Sequence, residues 1–225
     1  IALITVCLIW LSFSVIGAAF GPRHGIAEAN HLVGWALISY LFLFGGVFLK
    51  LPFTLIAIAT GFIFLLGLVY SLLKKITVLP LNAGRILVLG LPLFVLVSGM
   101  RGSQWDEFST WLEIPRYLYT SDHLPSAVNT YPAANMIAYP FSWHFINYLA
   151  SHIAGKFLEN VGPLFNILLL FAFSLGILKV VDHIFGEYHR LKRESWSIIA
   201  LVGLATTLFN PTFAQKIVLT SYADT

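Results

Sequence analysis

Of 225 residues, 58% are hydrophobic and only 10% charged, and the mean hydropathy is +0.85. A soluble domain carries roughly 25% charged residues to cover its surface, so this composition excludes an ordinary water-soluble domain and points to lipid as the solvent. The net charge of +3 is small and no nucleic-acid partner is expected, and the single cysteine, Cys7, lies in an apolar run, which excludes a disulfide framework and a thiolate metal site.

The predicted elements are all helical. Ile1 to Phe20 is the first span, ended by Gly21-Pro22-Arg23-His24. Leu32 to Leu49 is the second, and Lys50-Leu51-Pro52 turns the chain into the third, Phe53 to Leu73. Each holds about the 20 apolar residues that a bilayer requires. Lys74-Lys75 ends the third span, and Ile86 to Val97 forms the centre of a fourth, preceded by Arg85. Residues 100–158 are more polar and contain Asp106, Glu107, Glu113, Arg116, Asp122 and three tryptophans, a composition of the membrane interface. Two further spans follow, Val161 to Val181 and Ser197 to about Phe213, separated by the basic run His189-Arg190-Leu191-Lys192-Arg193. The expectation is an all-α polytopic bundle of about six spans: 1–99 as N-terminal spans, 100–158 as an outer loop, 159–225 as two spans and the start of another outer loop. Both ends fall in or beside apolar runs, so the chain reads as part of a larger membrane domain.

Basic residues concentrate in cytoplasmic loops. Lys74-Lys75-Arg85 and Arg190-Lys192-Arg193 therefore belong on one side, and an even number of crossings separates them. The apolar stretch Ile137 to Ala154 is then a juxtamembrane or re-entrant helix at the outer face. With that choice the Asp106 loop and Asp224 share the outer compartment.

Ser103 to Glu113 reads as a short amphipathic helix, with Trp105, Phe108, Trp111 and Leu112 on lipid and Asp106, Thr110 and Glu113 on another stripe. Ser103 with Asp106 also fits a capping box, in which the carboxylate only satisfies backbone N–H groups. Pro115 or Arg116 is expected to end this helix. Tyr131-Pro132 and Tyr139-Pro140 precede the next helix, on which His144, Tyr148 and Ser151 or His152 form a polar stripe. A histidine there is either a hydrogen-bonded structural group or, near carboxylates, a metal ligand.

An Asp106-Glu107 pair after a span, a Tyr-Pro step before a helix, and a later span ending in Tyr222-Ala223-Asp224 resemble the GT-C superfamily of membrane glycosyltransferases. The likeness is to its bacterial branch of aminoarabinose transferases and protein O-mannosyltransferase-like enzymes, and covers about Gly99 to Thr225. Here four spans precede the acidic loop, where the family usually has one.

The resemblance implies sugar transfer from a polyprenyl-phosphate donor to an acceptor at the outer face of a bacterial inner membrane. It makes Asp106 the base, with Glu107 and Asp224 beside it, and a divalent metal at Glu107, Asp224 and His144 an option. It also implies that Arg101, Arg116 and Lys216 meet the phosphate, and that Tyr131, Tyr139, His144 and Tyr222 line the substrate site. The competing expectations are a lipid-linked saccharide transporter or flippase and an O-antigen polymerase- or ligase-like protein.

Overall fold

The computed structural model describes residues 1–22, 26–102, 107–126, 141–189, 195–210 and 219–220, with 185–189 as backbone only. The described residues are helical with no strand: α1 (Ala2–Phe20), a 3-10 turn (Ala27–Ala29), α2 (Asn30–Val47), α3 (Phe53–Lys74), α4 (Ala83–Leu89), α5 (Leu91–Ser98), a π-helical turn (Glu107–Trp111), α6 (Glu113–Ser121), α7 (Phe141–Ala154), α8 (Val161–His189) and α9 (Trp196–Leu208). Four segments among them are long and apolar enough to cross a membrane: Ala2–Phe20, Ala27–Val47, Phe53–Lys74 and Val161–Ile184, of 19, 21, 22 and 24 residues. At 1.5 Å per residue each covers about the 30 Å of a hydrocarbon core. The chain is a helical membrane protein.

The helix α1 is central, packed on α2, α3, α7 and α8. It meets α2 backbone to backbone: a Cβ on Gly17 would lie 1.8 Å from the Asn30 carbonyl oxygen, and one on Gly34 would lie 1.9 Å from that of Phe13. In lipid no water is expelled when helices meet, so small residues that admit close approach supply the dispersion contact instead.

The fourth expected span is interrupted. The break is at Gly90, with Pro92 in the first turn of α5, dividing it into helices of seven and eight residues. Proline has no N–H to return to the Val88 carbonyl, and its ring crowds that carbonyl. The Phe171 ring of α8 fills the kink: a Cβ on Gly90 would come within 2.0 Å of it.

Polar contacts define the two ends of the bundle. At one end Asn30 Nδ2 donates to the carbonyls of Thr77 and Val78, at 3.2 and 3.0 Å. There too Lys179 pairs with Glu28 at 2.9 Å, and the Arg85 guanidinium lies 5.5 Å from the centre of the Trp196 ring. Arg85 thus adjoins the start of α9, just beyond the basic run, whose residues 190–194 are outside the described set. At the other end Asn160 Nδ2 donates to Ser98 O at 2.6 Å, and the α6–α7 region meets the α2–α3 turn.

The helix α7 is an interior element and not a surface one. Nine consecutive side chains, Trp143 to Ser151, are buried, so every face of the helix is covered by protein. It runs alongside α2 in the same direction. Trp35 Nε1 donates to Ser142 O at 3.1 Å, while Phe145 and Tyr148 meet Phe42 with ring centres 4.9 and 5.9 Å apart. Of the two expectations for this stretch, burial excludes a helix resting on the outer surface and agrees with one that enters the bundle.

Candidate functional site

The acidic loop folds against α7. After α5 the chain reaches a π-helical turn, a geometry that often marks functional sites. On this turn Glu107 is only 3% exposed, and Thr110 and Trp111 are also buried. The lipid-facing stripe expected for this segment is corrected on two residues. Trp111 and Leu112 point into the protein, and of the described members only Phe108, 52% exposed, points out. The reason is that the turn is wound wider than an α-helix, so the spacing of 100° per residue assumed from the sequence does not apply. Pro115 does not end a helix either. It sits in the first turn of α6, where its missing N–H has no helical acceptor to serve, and α6 continues to Ser121.

Trp111 connects this turn to α7, its ring 5.6 Å from that of His144. His144 is fully buried, with Phe141 on another side at 6.1 Å. Neither ring nitrogen has a hydrogen-bond partner among the described residues. The next polar groups along α7 are satisfied: Asn147 Nδ2 donates to Leu158 O, Ser151 Oγ to Asn147 Oδ1, and the Leu158 N–H to Ser151 Oγ, each at 3.1 Å. A cavity of about 10 Å³ adjoins His144, with Trp111, Trp143, Asn147 and Phe165 in its walls. That is room for about one water-sized oxygen atom. A neutral imidazole offers one donor and one acceptor, the pair that a hydroxyl can answer.

Arg116 is on the outer face of α6. It forms an exposed ion pair with Glu159 at 3.4 Å, and its guanidinium lies 5.0 Å from the centre of the Phe157 ring. Such a pair contributes about 0–1 kcal/mol, so Arg116 can exchange Glu159 for another anion at little cost. Arg101 is exposed. Among the described residues no group of three or more His, Cys, Asp or Glu is placed to hold a metal ion. His144, enclosed by aromatic rings, does not suit the metal role expected for it with Glu107. Asp106, Tyr131, Tyr139, Lys216, Tyr222 and Asp224 lie outside the described residues.

Sequence reasoning assigned no role to Asp122. This residue ends α6 with φ of 58°, a left-handed conformation that Asp tolerates better than most side chains. Its Oδ1 accepts from the Thr54 N–H at 2.9 Å, the Thr54 hydroxyl at 3.1 Å and the Tyr148 hydroxyl at 2.6 Å. Its carbonyl accepts from the Phe53 N–H at 2.7 Å. The N-cap position of α3 is Pro52, which has no side-chain acceptor, so Asp122 caps that helix from far along the chain. The only local signal was the absence of a capping residue before Phe53.

Compared with protein-family models, curated proteins and solved structures, the chain matches none.

Proposed function

We propose that this protein is a membrane glycosyltransferase of the GT-C kind, moving a sugar from a polyprenyl-phosphate donor to a hydroxyl acceptor. The observation that carries the reading is Glu107, a carboxylate withdrawn from water on a π-helical turn beside an interior helix whose His144 has unanswered ring nitrogens. Burying such groups costs stability unless they are answered; a substrate hydroxyl would answer His144.

In the reaction the acceptor oxygen bonds to the anomeric carbon while the bond from that carbon to the phosphate oxygen breaks. The acceptor proton passes to a carboxylate, and Asp106 is the base by its resemblance to the family. The leaving polyprenyl phosphate departs as a stable anion and needs no proton. Arg101 and Arg116, exposed around the same loop, are cations available to that phosphate. Glu107 orients the acceptor. His144 is better suited to hydrogen-bond a hydroxyl than to ligate a metal, so no step is assigned to a metal ion.

The test is incubation of the purified protein with polyprenyl-phosphate sugars, reading release of the lipid phosphate. Asp106→Asn is expected to abolish release, and Glu107→Gln to lower it by about 10²-fold or more, the usual worth of a placed acid–base group. Undiminished release from both variants would overturn the assignment. A second reading, a carrier for lipid-linked saccharides, draws on the broken α4–α5 and the interior α7, since carriers bind at discontinuous helices. It predicts movement of intact donor between leaflets without release of phosphate.

A further inference from the structure

The kink at Gly90 leaves a groove on the lipid side of the bundle. Its walls are Ile86 and Leu93 on one side and Ile199, Gly203 and Leu204 on the other, over a floor of Phe171, and its volume is about 340 Å³. Among the described residues Thr207 is the one polar side chain in the lining, and its hydroxyl already donates to Gly203 O at 2.7 Å. The described lining therefore offers no free hydrogen-bond donor to a polar ligand. Hydrocarbon fits it.

Charge identifies the head of that ligand. Arg85 immediately precedes Ile86, and Trp196 lies one helical turn before Ile199, so the Arg85–Trp196 pair stands at one mouth of the groove. Arg85 is bonded to Asn82 Oδ1 at 3.2 Å, and no carboxylate among the described residues pairs with it. A cation resting on an indole at the end of an apolar slot matches a phosphate headgroup with its chain laid along the helices. Arg85 lies in the first turn of α4 and Glu107 follows α5, so this mouth and the acidic turn stand at opposite ends of the α4–α5 segment. The groove is thus separate from any donor site at that turn.

We propose that this groove binds one chain of an anionic glycerophospholipid, with its phosphate held by Arg85. The site is independent of whether the acidic end transfers sugar.

The test is native mass spectrometry of the full chain, counting retained lipid after exchange against phosphatidylglycerol or phosphatidylcholine. Wild type should retain phosphatidylglycerol about fivefold better, the effect of one cation near the surface. Arg85→Gln should remove that preference while keeping chain binding. Gly203→Leu should abolish retention of both lipids, because its new side chain enters the groove, where a Cβ meets nothing closer than Ile86 at 3.7 Å. Leu204→Trp fills the same space from an exposed position, so it gives a second reading should Gly203→Leu fail to fold. An unchanged preference in Arg85→Gln, or undiminished retention in the filled variants, would overturn the proposal. Displacement of phosphatidylglycerol by polyprenyl phosphate in preference to other lipids would assign the groove to the donor instead, and would equally overturn it.

Discussion

Two residues show how polar groups are used inside this protein, and they behave oppositely. Asp122 joins three elements through one carboxylate oxygen, so its loss leaves the Thr54 N–H and the hydroxyls of Thr54 and Tyr148 unanswered together, while the Phe53 N–H keeps the backbone carbonyl. Asp122→Ala should destabilise the protein by roughly 2–3 kcal/mol and Tyr148→Phe by about 1 kcal/mol, and the two effects should not add. Thermal unfolding in detergent measures this, and full additivity would show that the contact is not a working one. His144 reverses the sign. Its orphaned nitrogens carry a desolvation cost, so His144→Phe should be neutral or stabilising by about 1–3 kcal/mol while lowering transfer. A variant that melts earlier and keeps full transfer would make His144 a structural residue. Neither role could be read locally. Asp122 and Thr54 are 68 positions apart, and whether a histidine is answered depends on what packs against it.

The helices that the sequence revealed were those whose apolar runs reach spanning length without interruption. α1, α2 and α3 fall within two residues of their expected bounds, because lipid demands a continuous hydrogen-bonded helix and the apolar run sets its extent, while α8 starts at the expected Val161 and runs eight residues past Val181. The misplaced elements were those decided by packing. Gly90 and Pro92 lay inside an apolar run, and only a ring seated in the gap shows why a break is tolerated there. For α7, the even number of crossings between the two basic clusters suggested a place at the outer face, yet its polar residues bind the 155–160 loop and the α3 cap. Of the candidate site, the acidic loop and His144 were legible by residue type, whereas the inward turn of Trp111 and the reach of α6 past Pro115 were not. At this scale the α1–α2 contact gives a sharp prediction. Gly34→Val should destabilise the bundle by at least about 1–3 kcal/mol, since its side chain meets the Phe13 backbone, which cannot move aside as a side chain would. Size-exclusion and melting profiles unchanged from wild type would contradict the close packing.

Across the whole molecule, the two ends differ in their charged residues. Lys74, Lys75, Arg85 and the Glu28–Lys179 pair mark one end, while at the other Glu107, Glu113, Asp122 and Glu159 stand among Lys50, Arg101, Arg116 and Lys156. The functional reading depends on which end is outside, because a donor headgroup and its acceptor must meet at the Glu107 end while the Lys74–Lys75–Arg85 end stays in the cytoplasm. It is tested most directly with single cysteines placed at Arg101 and at Lys74, both exposed, after Cys7→Ser. In intact cells a membrane-impermeant maleimide should label Arg101→Cys at once and Lys74→Cys only after permeabilisation. Labelling of both from the same compartment would contradict the account.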